Sequence, residues 1–577
     1  MATAPEPAPF TTSCGGTTYA TSYAAFLDGC VNSFVKGYGP FFLENRMNEF
    51  NGYAEDQWRL RENLTLHLGL RYEYVAAPRE KEGRIDYGYG ADRDNVEPRL
   101  GFAYSPKWER GWLAALAGGP GNTAIAGGYG LYDGRIFQSV FSQTGASVRF
   151  NPPNAAQRTY NTLPGILNVA DPSLGFVFAP GVPQTGRVTL TIPDPNLEMP
   201  STAKWSLSVE RGMPWRSTLK IAYEGNHNDK RLKYAQGNLP VSPLAGGIVV
   251  VDHPNNAPAA GFPDLRGVKI DRIASDVLCA GTGFLPGLTT TAQCPNPVPI
   301  ANNEISARVP RVNERRPDPR YTTNLLISNA AEAWYDGVEL EWIKRIAHGL
   351  QFQIAYTYSK SVDTTSEATF VGAGDTNQNG PNKQFAKGLS RFHTPHRFTF
   401  NGSYRLPFFA GQRNLAGLVL GGWQLSGVVK LVSGTPFTVI DGSPRDLNFD
   451  GFSEARPILV DPSILGAKIN DPARSQQQLP LSAFRPATFT DSIDAIVPRN
   501  AFYGDAFHNV DLGLYKSFEG LRRGQRVTLR VEAYNVFNWV QFGFPTTDIT
   551  SASFGRIVST SNAYAPRRVQ IAVKYAY

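Results

Sequence analysis

The chain has 577 residues, of which 18% are charged and 42% hydrophobic, and a formal net charge of +7. Lys and Arg are scattered and interleaved with acids, so no stretch has the footprint of a nucleic-acid contact, and no nucleic-acid partner is expected. No run of about 18 apolar residues marks a transmembrane helix. The mean hydropathy of −0.27 is neutral, which also describes a membrane strand that alternates apolar and polar residues.

Residues 1–12 lack the basic and apolar regions of a signal peptide, so no export signal is expected within them. Residues 1–49 read as an irregular segment, with Cys14 and Cys30 in a Gly- and Thr-rich stretch. Cys279 and Cys294 repeat the pair with a similar gap. No CxxC or nearby His pair suggests zinc. Two local disulfides in exposed loops are expected, which implies an oxidising compartment.

From residue 50 onward the dominant signal is period-two alternation. Leu64, Leu66, Leu68, Leu70, Tyr72 and Tyr74 share one face, and Thr65, His67, Gly69, Arg71 and Glu73 the other. This is the length of a tilted membrane strand. The pattern recurs at Trp205/Leu207/Val209, Leu219/Ile221/Tyr223, Val338/Leu340/Trp342, Phe352/Ile354/Tyr356/Tyr358, Phe398/Phe400 and Leu512/Leu514. It returns at Val527/Leu529/Val531 and Val569/Ile571/Val573/Tyr575/Tyr577. Aromatics gather at strand ends, as in the girdles of a membrane barrel. A terminal strand that stops at an aromatic resembles the assembly signal of such barrels. As the edge of a soluble sandwich it would be an aggregation hazard, whereas closing a barrel removes the edge.

Tight or moderate turns near 211–217, 346–349 and 518–526 alternate with long stretches at 133–185, 233–330, 361–392 and 434–507 rich in Pro, Asn, Asp and Gly. Short turns on one side and long loops on the other are the asymmetry of an outer-membrane barrel. The expected fold is all-β: a transmembrane antiparallel barrel over 50–577, with roughly fourteen to sixteen strand candidates.

Asp446, Asn448, Asp450 and Gly451 match the opening of a calcium loop, making Ca2+ the one cofactor the sequence suggests. The twelfth position, where an EF-hand places Glu, is Pro457. The other reading is an Asx-rich surface turn. Asp375, Asn377, Asn379 and Gly380 repeat the opening more weakly. His393 and His396 flank Pro395 with no third ligand nearby, so a structural role is expected. The glycines at 118–121, 127, 128 and 130 have no helix after them to make a phosphate cradle, and read as strand glycines. No nucleophile elbow, P-loop or paired carboxylates stand out, so no enzyme is expected.

Several segments carry a resemblance. NGYAEDQWRLRENLTLHLGLRYEY (51–74), EPRLGFAYSP (97–106), YEGNHNDKRL (223–232) and YDGVELEWIKRIAHGLQFQIAYTYSKSVD (335–363) are similar to strand pairs of TonB-dependent receptors. So are HRFTFNGSYRLPF (396–408), GGWQLSGVVKLVSGTPFTV (421–439) and RVEAYNVFNWVQFGFP (530–545). The similarity is especially to the large group with carboxypeptidase-regulatory-like N-terminal extensions. The resemblance implies a 22-stranded barrel around a plug, with a TonB box that meets the energy-transducing partner. No such plug or box is recognisable before residue 50, so the chain is expected to be the C-terminal part of that barrel. The resulting expectation is uptake of a bulky solute across the bacterial outer membrane, energised through TonB in the full-length protein. Its partners would be outer-membrane lipid, the TonB complex and an extracellular ligand. A passive porin or structural surface barrel, and a secreted β-rich carbohydrate-binding protein, are the alternatives.

Overall fold

The computed structural model describes residues 43–136, 190–237, 324–366, 386–409, 411–412, 414–442, 456–469, 476–486, 495–519 and 525–576. Shorter described pieces are 24, 33–38, 156–161, 244–245, 248–250, 269–270 and 318.

Thirteen strands follow one another in a single meander, each paired antiparallel with its neighbours in sequence. They are β1 (Glu49–Arg61), β2 (Leu64–Val75), β3 (Asp92–Tyr104), β4 (Thr123–Asp133), β5 (Ser201–Met213), β6 (Ser217–Gly237) and β7 (Asn324–Ala347). Then come β8 (Leu350–Asp363), β9 (His396–Arg405), β10 (Trp423–Val432), β11 (Phe507–Glu519), β12 (Arg526–Tyr534) and β13 (Arg568–Ala576). Two short strands, Thr191–Pro193 and Gly388–Leu389, join this sheet and bring it to 15. Ser33–Tyr38, inside the segment 1–49, pairs antiparallel with Ala156–Asn161.

Register keeps the two faces distinct along most strands. Leu68 of β2 lies opposite Leu100 of β3, which lies opposite Tyr129 of β4, then Trp205 of β5. Further round, Ile354 of β8 faces Phe400 of β9, then Val429 and Val510. The neighbouring rows carry Arg71 opposite Glu97, and Gln353 opposite Asn401. A slip of one residue would exchange the faces along a whole strand. Leu70, Leu100, Leu207, Ile221, Leu340, Leu425 and Leu512 are exposed on the apolar face. A water-soluble sheet would bury such a surface.

The two ends of the meander differ. At one end the connections are short: 62–63, 214–216, 348–349 and 520–525, with two longer ones at 105–122 and 406–422. The longer ones each hold one small helix, α1 (Gly111–Ala117) and α2 (Leu415–Leu420). At the other end every connection is long: 76–91, 134–200, 238–323, 364–395, 433–506 and 535–567. β6 and β7, at 21 and 24 residues, exceed the 9–11 of a membrane strand and carry the wall outward on this side.

The buried hydrophobic clusters sit at this end, in the long connections and the outward ends of β6 and β7, because the strands present most of their apolar side chains to the membrane. Phe437, Val439, Leu479, Phe484, Val497, Phe502, Ile549 and Phe554 form one cluster from segments 433–506 and 535–567. Tyr87, Ile136, Leu197, Leu232 and Ile327 form a second.

Among the described residues, the edge strands β1 and β13 pair on one side each. Both run from the long-loop end to the short-turn end, as follows from thirteen alternating strands. Closing the sheet with antiparallel pairing throughout therefore takes an odd number of further strands.

Candidate functional site: the polar wall and its loop-covered mouth

The polar face is a hydrogen-bonded wall. On β2 and β3, Arg71 donates to Glu73 at 2.6 Å and lies 4.0 Å from Glu97. Glu97, 2% exposed, also pairs with Arg99. On β7 to β9, Gln353 donates to Glu341 at 2.6 Å and Asn401 to Gln353 at 3.2 Å. On β11 and β12, the Tyr515 hydroxyl donates to Glu532 at 2.8 Å. Each of these carboxylates meets a donor on its own strand or the adjacent one.

A recess of about 700 Å³ is cut into this wall across β1 to β6. Alternation places Gly69, Gly101, Gly128 and Gly130 on its floor, where any side chain would fill it. The Arg99 guanidinium lies 4.6 Å from the Tyr132 ring centre and the Lys204 ammonium 5.5 Å. Gly127, on the opposite face, is needed for packing: a Cβ there would stand 2.8 Å from the Phe102 ring.

At the long-loop end, Arg499 latches connection 433–506 to the wall. Its guanidinium ion-pairs with Asp363, the last residue of β8, both side chains being 2% exposed or less. It also donates to the Ala386 carbonyl at 3.0 Å and the Ser366 hydroxyl at 3.2 Å. Asn500 follows with a 2.6 Å bond to the Leu389 carbonyl. Asp548 closes the neighbouring connection by accepting from the Gly442 and Thr550 amides, each at 2.9 Å. Burial pushes its carboxyl up, but these N–H donors outweigh it and hold the pKa below the usual carboxylate range.

The two histidines occupy different places. His393 is buried, and its Nδ1 accepts from the Ser361 amide at 3.2 Å. Burial, with Lys360 nearby, lowers its pKa. His396 opens β9 on the apolar face, bonded to the Tyr356 hydroxyl at 2.8 Å. Among the described residues no three His, Cys, Asp or Glu side chains converge as a metal site. Asp446, Asn448 and Asp450, the repeat at 375–380, and Cys14, Cys30, Cys279 and Cys294 all lie outside the described residues. The latch Arg499–Asp363 has no local sequence signal, because its partners are 136 residues apart. The recess does have one, in the Gly-Gly-Tyr-Gly run at 127–130.

The apolar face carries two aromatic belts. Tyr72, Tyr129, Trp205 and Tyr358 lie toward the long loops, and Trp58, Tyr104, Trp342, Tyr404 and Trp423 toward the short turns. Trp205 Nε1 donates to the Tyr223 hydroxyl at 3.3 Å, which donates to Asp336 at 2.6 Å. Belts flanking an aliphatic band are the signature of a barrel wall in a bilayer. No helix among the described residues is long and apolar enough to cross one.

These features define a membrane barrel, and the chain belongs to the outer membrane beta barrel domain family, which matches residues 7–90 and 85–570. It is a protein of the bacterial outer membrane. Among solved structures it is similar to the outer membrane transporter YddB from Escherichia coli, at 10% identity and a TM-score of 0.43, over 92% of this chain and 45% of that one. It is also similar to the siderophore receptor PirA from Acinetobacter baumannii, at 10% identity and a TM-score of 0.38, over 94% and 47%. The ferripyoverdine receptor of the Pseudomonas aeruginosa outer membrane is a third, at 10% and 0.38, over 93% and 39%. The chain thus spans less than half the length of each. Comparison by sequence with curated proteins gives no match.

Proposed function

We propose that this chain forms the wall of an outer-membrane receptor that takes up a bulky solute, energised through TonB in the full-length protein. The chain itself performs no covalent chemistry in this reading. The observation that carries it is the ordered mouth: two long connections share a core of their own and are latched onto β8 by the buried Arg499–Asp363 pair. Ordering so much loop costs conformational entropy, which a passive hole need not spend. The charged wall and its recess offer a solute many polar partners. The motif resemblance supports the energy coupling, and the parity of the edges agrees with a 22-stranded whole.

The test is uptake in cells expressing the complete gene product, with and without the energy-transducing complex. A panel of ferric siderophores, cobalamin, oligosaccharides and peptides serves as substrates. Saturable uptake of one of them, lost on deleting TonB, is expected. Uptake that is non-saturable and indifferent to TonB would overturn the reading in favour of a porin.

A further inference from the structure

At the short-turn end, the apolar face holds a groove that the transport reading does not use. It has a volume of about 500 Å³ and lies between the β5–β6 and β7–β8 turns. Its walls are Trp215, Trp342, Phe352 and Tyr404, with Trp342 and Phe352 packed edge-on at 5.0 Å. Register aligns Ser217, Lys344, Phe352 and Gly402 across four adjacent strands. Gly402 lets the Phe400 ring and Phe352 pack close beside the groove, where a Cβ would stand 2.8 Å from Phe400.

The rim is cationic. Lys344 and His348 line the groove; Arg216 stands beside it on the β5–β6 turn and Arg345 beside it near the end of β7. A backbone bond of 3.1 Å from the Arg345 amide to the Arg216 carbonyl ties the two together. Lys344, 8% exposed, donates to the Trp215 carbonyl at 2.8 Å. None of the four makes an ion pair with a carboxylate among the described residues. Trp215, Arg216 and His348 all have positive φ, at 61°, 57° and 52°. Non-Gly residues in that region are uncommon, so the turns hold these side chains in a costly backbone shape. Trp215 is 74% exposed. In the groove wall, Trp342 Nε1–H is buried without an acceptor among the described residues.

We infer that this groove binds one anionic glycerophospholipid of the periplasmic leaflet. An acyl chain lies between the Trp215/Trp342 and Phe352/Tyr404 walls. The phosphate meets Lys344, Arg216 and Arg345 at the short-turn end, none of which is ion-paired among the described residues, as basic pockets at membrane surfaces do. A glycerol-ester carbonyl supplies the acceptor that Trp342 lacks. A zwitterionic lipid offers the same acyl chain, ester carbonyl and phosphate but adds a cation that the basic rim repels, and free phosphate offers neither chain nor carbonyl. The inference rests on the barrel and its orientation, and is independent of the transported solute.

The test uses the full chain, purified in detergent, stripped of lipid and examined by native mass spectrometry. The probes are phosphatidylglycerol, phosphatidylcholine of the same acyl chains, and inorganic phosphate. One phosphatidylglycerol is expected to be retained, at least about tenfold more tightly than phosphatidylcholine, and Arg216→Ala/Arg345→Ala is expected to remove most of that preference. Arg216→Lys/Arg345→Lys should keep it. In the wild-type chain, added salt should weaken retention of phosphatidylglycerol alone. Equal retention of the two lipids, indifference to salt, full retention by the alanine variant, or displacement by millimolar inorganic phosphate would each overturn the inference.

Discussion

Arg499 shows how one residue can hold a loop assembly to a membrane wall. Its guanidinium and the Asp363 carboxylate are both removed from water, so each is tolerable only while the other is present. Arg499→Ala strands a buried carboxylate and should cost the docked loops about 3–5 kcal/mol. Limited proteolysis should then cut within 433–506 while the strands stay protected. Resistance equal to wild type would show that the latch is ornamental. His393 adds a pH response at the same seam. Burial lowers its folded pKa below the ordinary 6.5, so the unfolded loop binds the proton more readily. Its contribution is therefore complete above 6.5 and is lost as pH falls through the lowered folded value. Protonated Nδ1 can no longer accept from Ser361. Hydrogen-exchange protection factors in 386–395 should fall in acid, and His393→Asn, which keeps an acceptor there, should remove that step.

At the scale of elements, alternation decides what each substitution does. Leu340→Arg places a charge on the lipid face and should cost roughly 2–4 kcal/mol, whereas Glu341→Arg, one residue on, keeps a polar group on the polar face. Urea titration of the chain refolded into vesicles separates the two. Equal losses would contradict the assignment of faces. The loop core answers to packing: Phe502→Ala, at a fully buried position, should cost the loops about 3–5 kcal/mol. Most strands were legible in the sequence, and β2 and β8 most clearly, because their alternation is a local pattern. β1 was less legible: EFNGYAEDQWRLR puts Asp56 in the row of Leu68, so its apolar face is broken. The long connections were legible as long, but their contents were not. Phe437, Phe484, Phe502 and Phe554 meet across wide sequence gaps. The groove at the short turns escaped for a similar reason, since its four strands come from three separate segments.

For the whole molecule, the architecture follows from one constraint. In a bilayer core every backbone donor and acceptor must be satisfied within the sheet, so the wall is a continuous antiparallel ladder with its apolar side chains outward. The hydrophobic cores then form where water returns, in the loops. The account stands or falls on which face of the ladder meets lipid. The most direct measurement is nitroxide scanning of β8 from Phe352 to Tyr358 in vesicles, with the native cysteines replaced. Labels at Phe352, Ile354 and Tyr356 should collide with lipid-soluble oxygen, and those at Gln353, Ala355 and Thr357 with a water-soluble nickel complex. The two accessibilities should therefore alternate out of phase with period two. In-phase accessibility, or contact with the nickel complex at every position, would contradict the membrane-barrel account.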